Sequence, residues 1–238
     1  YFRKNNAERA AARNYGAQRA KGGYVNFFDS DDIAYGNHLS EAAKLIQKRN
    51  KPEFFHLAYE RSEPGGRLVP MANHFTGEII NHKMLLGNPF GCNGVFVRRD
   101  IFLTHLFNEK RELSGSEDYE LWTRLAARYP LYYSNTITSV LIEHDERSVL
   151  NVNHQGLVAR INCLLNCLES DAAVMKKYGK DFNQIRMECY SYVSLHLAAT
   201  PGNKAAGLNY LLKAIGSSVA LIRRRRFYAI IKILLLKW

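Results

Sequence analysis

The run Tyr24-Val25-Asn26-Phe27-Phe28-Asp29-Ser30-Asp31-Asp32 most constrains what this chain can fold into. A short apolar β-type stretch follows Gly22-Gly23 and ends in three carboxylates within four positions. Apolar residues of this kind fit a buried strand, and ligands of open α/β sheets sit at strand ends. Three neighbouring acids repel one another unless something positive neutralises them. A hard divalent cation carrying phosphates does so, because Mg²⁺ or Mn²⁺ takes a few carboxylate oxygens plus phosphate oxygens. The plain alternative is a solvated acidic turn.

Around this run the first 150 residues alternate helix and strand. Residues 6–21 read as a helix with Asn6 as cap and Gly22-Gly23 as stop. The strand Tyr24–Phe28 follows, then an amphipathic helix over Leu39–Arg49 ended by Pro52. Glu53–Tyr59 reads as a strand and 60–78 as a long loop or β-excursion. Gly91-Cys92-Asn93-Gly94 leads into a strand at Val95–Val97, and Arg98–Leu106 into a short helix. Ser116 is placed to cap a helix over Glu117–Arg128, followed by strand-like Leu131–Tyr133 and Thr138–Ile142. From about residue 153 the pattern is helical throughout, with helices expected over 153–178, 181–199, 203–216 and 218–236. A boundary therefore falls near 150, dividing 1–150 from 151–238.

Charge is unevenly distributed. No acid follows Glu188, and Lys204, Lys213, Arg223, Arg224, Arg225, Arg226, Lys232 and Lys237 carry +8 of the net +11. The basicity belongs to the tail, which argues against a general nucleic-acid-binding surface. Phe227, Ile230, Ile231, Leu234, Leu235 and Trp238 recur at helical spacing behind the arginine run. A basic amphipathic helix over Arg223–Trp238 suits an anionic membrane surface; the alternative is that it packs on the domain. No run is long enough to span a bilayer as a helix. The four cysteines lack metal-type spacing and read as reduced thiols of a cytoplasmic protein.

Ala12-Arg13-Asn14-Tyr15-Gly16, Ala20-Lys21-Gly22-Gly23-Tyr24 and Phe28-Asp29-Ser30-Asp31-Asp32 resemble the signature of family 2 glycosyltransferases of the GT-A fold. Phe107-Asn108-Glu109 and Glu117-Asp118-Tyr119-Glu120-Leu121-Trp122-Thr123-Arg124-Leu125 resemble the family's second motif, and His144 with Arg147-Ser148 a third. The resemblance implies an α/β GT-A fold, Rossmann-like with a mostly parallel sheet, followed by a helical C-terminal region. The family's opening "S-I-I-I-P-T-Y-N" and "V-D-D-G-S" strands are not in this sequence, so about 70 residues are expected upstream, two βα units of the usual size.

The resemblance also implies roles. Asp31 and Asp32 would hold the nucleotide-sugar, with Asp32, Asp29 and His144 as ligands of Mn²⁺ or Mg²⁺. Asp118 would be the general base of an inverting transfer, with Glu117 as its neighbouring alternative. Arg13 would face the donor nucleotide, or else form a surface salt bridge to Glu8 or Asp32. Arg147 would contact phosphate, and the Gly91–Gly94 turn would pass beside the donor sugar. The partners implied are a nucleotide-sugar, a UDP-sugar, and a glycan or lipid-linked acceptor, at the inner face of the cell membrane. Two other readings stay open: a nucleotidyltransferase on a similar fold, and a non-catalytic membrane- or partner-binding module.

Overall fold

The computed structural model of this 238-residue chain describes residues 8–63, 65–71, 75, 77–142 and 154–236. Packing divides the chain into two compact units. One comprises Tyr1–Asn81 and Asn88–Asn151, the other His82–Gly87 and Val152–Trp238.

The first unit follows the order α1 (Glu8–Arg19), β1 (Tyr24–Asn26), β2 (Ile33–Ala34), α2 (His38–Lys48), β3 (Phe54–Ser62) and β4 (Leu68–Pro70). Then come β5 (Val95–Arg98), α3 (Arg99–Thr104), α4 (Glu117–Arg128) and β6 (Leu131–Ile142). The strands form a sheet in the order β1-β5-β3-β6-β2, with β4 paired to β3. Only β3 and β6 run parallel among these pairs. The sheet is therefore mixed, not mostly parallel as expected. Parallel neighbours need a long crossover, and the β3-to-β6 connection supplies one through α3 and α4. Before entering those helices, β5 inserts antiparallel between β1 and β3.

Local differences from the sequence reading have visible causes. The acidic run's strand pairs only through Asn26, because Phe27 turns into a cluster with Phe102 and Phe107 at ring distances of 4.9 and 5.1 Å. The expected β-excursion is a hairpin: β3 continues to Ser62 and pairs with β4. The two strand-like stretches after Pro130 merge into one β6, which absorbs its polar middle through register shifts against Leu57–Glu60. The cap Asn6 lies outside the described residues.

The core grows from the alternation of β3. Phe55 and Leu57 point to the side where α2 lays Ala42 and Leu45, and Phe55 stacks on Phe96 of β5 at 5.1 Å. Phe54 is fully buried as well, so both faces of β3 are covered. Helix α4 buries Trp122, Leu125 and Ala126 of the stripe expected from its spacing, and Leu121 beside them, while the last expected member, Tyr129, is half-buried. Asn81 stitches α4 to β6, donating to the carbonyls of Ala126 and Tyr129 and accepting from Leu131 N–H at 2.9 Å.

The second unit is helical: α5 (His154–Ser170), α6 (Ala172–Tyr178), α7 (Phe182–Ala198), α8 (Lys204–Ser217) and α9 (Arg225–Leu235). The single helix expected over 153–178 is two. Asp171 breaks it by accepting from the N–H groups of Ala173 and Val174, capping α6. The stretch 218–236 likewise starts as a 3-10 turn over Val219–Arg223 before α9 begins. Helices α7 and α8 approach closely at Gly207, where a Cβ would come within 2.8 Å of the Ala198 backbone nitrogen. Ser194 donates to the Gly207 carbonyl there at 2.8 Å. Against this pair α9 sets Ile230, fully buried, with Phe227, Ile231 and Leu234 packed around it. Four residues of the expected apolar stripe, Phe227, Ile230, Ile231 and Leu234, thus pack within their own unit, whereas Leu235 is exposed and Trp238 lies outside the described residues.

Candidate active site

Three elements of the first unit converge on one charged cluster. Arg13 projects from the middle of α1, Asp29 follows β1, and Glu117 and Asp118 open α4. The Arg13 guanidinium bridges two acids: Nη2 lies 3.0 Å from Asp29 Oδ1 and Nη1 lies 3.0 Å from Glu117 Oε1. The Arg13 and Glu117 side chains are only 10% and 4% exposed, whereas that of Asp29 is 40% exposed. Burial works against the Arg13 charge, but Cys92, Asp29 and Glu117 around it outweigh that and raise its pKa. Neither salt-bridge partner expected from the sequence, Glu8 or Asp32, takes this role. The guanidinium is committed to carboxylates 16 and 104 residues away.

The residue beside it is equally committed. Asn14 donates to the Phe107 carbonyl and to Glu109 Oε1 at 2.9 and 2.8 Å, and accepts from Phe107 N–H at 2.9 Å. Arg13 itself lies over the Phe107 ring, 5.5 Å from its centroid. Adjacent residues of α1 therefore tie the first sequence motif to the second.

At the start of α4, Ser116 occupies the cap position but makes no side-chain cap bond. The acids do that work instead: Glu117 accepts from Gly115 N–H, and Asp118 Oδ1 accepts from Tyr119 N–H at 2.7 Å. Gly115 has φ +90, which favours glycine. Carboxylates suit this place because a helix N-terminus carries partial positive charge. Asp118 Oδ2 also accepts from Asn88 Nδ2 at 2.9 Å. Desolvation first, and then the charge of Glu117, push the half-buried Asp118 up to about 6, with Arg13 and Asn88 opposing. A carboxylate so tuned is a base poised near neutral pH. Tyr59 lies close enough that Asp118 adds to the rise that burial gives its phenol. Burial also pushes the Cys92 thiol well up, against the pull of Arg13.

The Gly91–Gly94 turn borders the same cluster. Asn26 of β1 pins it by donating to the carbonyls of Asn93 and Val95 at 3.0 and 2.8 Å. His38 bonds back to Asn26 Oδ1 at 3.2 Å and to Thr138 Oγ1 at 3.0 Å. Burial lowers the His38 pKa, and it lowers that of His56, beneath the turn, to about 3. Both are neutral wall residues, a role that nothing near them in the sequence signals. Gly94 cannot carry a side chain: a Cβ would sit 2.4 Å from the Leu57 carbonyl oxygen and 2.6 Å from His56 Nε2. Gly94→Ala is expected to lower stability by about 1–3 kcal/mol through overpacking, read as a lower denaturation midpoint.

The remaining expected residues are placed as follows. Asp32 Oδ1 accepts from Ile142 N–H at 3.2 Å, tying the acidic turn to the end of β6. Asp31 is exposed. His144 and Arg147 lie outside the described residues. Among the described residues no group of three His, Cys, Asp or Glu side chains is arranged to hold a metal ion. Arg13 engages Asp29 through Oδ1. Asp31 and Asp32 do offer the hard oxygen donors of a Mg²⁺- or Mn²⁺-type site that completes its shell with phosphate. Asn88 and Tyr59 were absent from the sequence reading of the site, since each joins it only through the fold.

The chain is similar to several known proteins. The family model "Glycosyl transferase family 2" matches residues 1–106. An uncharacterized glycosyltransferase of Rickettsia bellii is 30% identical over 171 residues, covering 70% of this chain and 24% of that protein. One of Rickettsia felis is 29% identical over 130 residues, covering 54% and 21%. The chain thus spans about a quarter of the length of the curated relatives it matches. Among solved structures, S. aureus TarS 1-349 in complex with UDP-GlcNAc superposes with a TM-score of 0.60 at 15% identity, covering 98% of this chain and 70% of that one. TarS 1-349 in complex with UDP gives 0.54 at 16% identity, covering 94% and 67%. At these identities the TarS likeness speaks for the fold, which is that of a GT-A glycosyltransferase with a helical C-terminal region. Motif, family model and fold coincide, and this chain carries a glycosyl transferase family 2 region.

Proposed function

We propose that the chain forms the catalytic part of an inverting, metal-dependent glycosyltransferase. It moves a sugar from a nucleotide-sugar, a UDP-sugar, to a hydroxyl of a glycan or lipid-linked acceptor. The observation that carries this reading is Asp118: a carboxylate at a helix N-terminus, oriented by Asn88 and raised toward neutrality by burial and Glu117. In an inverting transfer the acceptor oxygen attacks the anomeric carbon while the bond to the diphosphate oxygen breaks on the opposite face. Asp118 takes the acceptor's proton, and the nucleoside diphosphate leaves with the bonding electron pair. Glu117, paired with Arg13, adds to the rise that burial gives Asp118.

Asp31 and Asp32 would hold Mn²⁺ or Mg²⁺ together with the donor diphosphate. When bound, the cation neutralises charge developing on the leaving group. His144 and Arg147 belong to the same proposal as donor-side contacts. The choice of a uridine nucleotide draws on the UDP-GlcNAc and UDP complexes of TarS. Among the described residues no helix is long and apolar enough to cross a membrane. A peripheral position on the cytoplasmic face of the membrane, near a lipid-linked acceptor, completes the reading.

The test is turnover by the full-length protein with a panel of nucleotide-sugars and Mn²⁺ or Mg²⁺. Hydrolysis or transfer with a UDP-sugar, inversion at the anomeric carbon by NMR and loss of activity with chelator are expected. No turnover of any nucleotide-sugar, or retained anomeric configuration, would overturn it.

A further inference from the structure

The helical unit presents a surface that its own packing leaves uncovered. The Lys204 ammonium bonds to the Leu236 carbonyl, which sets the start of α8 beside the end of α9. With the 3-10 turn over Val219–Arg223 at the other end, the two helices form an antiparallel hairpin. Its inward side is spent: Leu211, Ala214, Leu221 and Ile230 are buried against α7. Arg226 also turns inward, pairing at 2.8 Å with Glu188, the last acid of the sequence, and reaching Ser191 Oγ at 3.0 Å.

The outward side combines two features rarely left together. Leu212, Val219, Tyr228 and Leu235 are 60%, 72%, 63% and 77% exposed, and Leu208, one turn from Leu212, is exposed with them. Lys213, Arg223, Arg224, Arg225 and Lys232 are exposed among them. Since no acid follows Glu188, every side-chain charge the hairpin presents is positive. Large apolar side chains of this exposure mark a contact surface. Cations interleaved with them, without any anion, are complementary to anionic lipid headgroups above an acyl boundary. A second copy of this face would bring like charges together.

We infer that the outward face of the α8–α9 hairpin docks on an anionic lipid bilayer. Leu208, Leu212, Tyr228 and Leu235 enter the headgroup–acyl boundary, and Arg223–Arg225 lie at the phosphates. This deepens the membrane part of the proposed function and changes the surface involved. The stripe Phe227-Ile230-Ile231-Leu234 holds the hairpin in place, and Tyr228 and Leu235, which flank it, meet the lipid.

The experiment is co-sedimentation of the full protein with phosphatidylcholine vesicles, with and without phosphatidylglycerol, and with nucleotide-sugar turnover measured in solution on the same samples. Binding is expected only to the anionic vesicles and should weaken with salt. The triple reversal R223E/R224E/R225E and the quadruple variant L208S/L212S/Y228S/L235S should each weaken it about tenfold or more. These side chains are exposed, so melting temperatures should stay near wild type. Undiminished binding of the quadruple variant, equal binding to neutral vesicles, or no binding at all would overturn the inference. So would absence of vesicle binding together with a dimer that the serine substitutions dissociate. Turnover without vesicle binding sinks this inference alone, whereas vesicle binding without turnover sinks only the transfer reading.

Discussion

Asp118→Asn is expected to lower kcat by about 10²–10⁴-fold, the usual worth of a positioned general base. Donor binding should stay near wild type, because asparagine keeps the shape, its single oxygen accepting from either Tyr119 N–H or Asn88 Nδ2. The wild-type rate should itself fall as pH drops through about 6, where Asp118 takes up a proton and can no longer accept one. The same variant should gain stability. A folded-state value raised above the ordinary 3.8 means that folding disfavours the ionised carboxylate. That stability is fully present below 3.8 and is lost as pH rises from there to about 6. Asparagine carries no such penalty. Asp118→Asn should therefore melt above wild type at neutral pH, and the gap should close in acid. A loss of rate with a gain of stability marks a residue kept for chemistry. An equal loss of both would return Asp118 to a structural role.

Arg13→Ala should have the largest effect on stability, a loss of about 3–5 kcal/mol, because it leaves a buried carboxylate without its counter-ion. The Glu117 side carries most of that loss, since Asp29 retains access to water. Adding Glu117→Gln in the same chain should recover part of it, read from urea midpoints in a double-mutant cycle. Arg13→Lys should recover little, because one ammonium cannot reproduce the fork that reaches two acids on separate elements. If Arg13→Ala cost less than about 1 kcal/mol, as an exposed surface pair would, the bridge would have no structural weight.

Arg13 also shows how far the sequence could be read. Its motif was legible, because Ala12–Gly16 and the acidic run stand in recognisable order. Its partner was not, because Glu117 lies 104 residues away and nothing local names it. Helix α4 was legible to the residue, Glu117–Arg128, since Ser116 marked its start and Pro130 its end, although Ser116 makes no side-chain cap bond. The orientation of β5 was not, because a four-residue apolar strand carries no mark of which way its neighbours run. Asn88 and His38 escaped notice for the same reason as Glu117: a short polar side chain gains a role only when a distant element arrives beside it. The C-terminal stripe was legible as a stripe, but periodicity alone does not say what covers it.

The short segment His82–Gly87 belongs to the helical unit, although the chain on either side of it belongs to the sheet. A ribosome therefore delivers part of the second unit before the first is finished. Met84 in this segment is fully buried, and the helices of the same unit begin only at His154. Early sheet formation and late helix formation are consequently interlocked during synthesis. Cutting the chain after residue 151 would release neither unit whole, because His82–Gly87 would stay with the N-terminal piece.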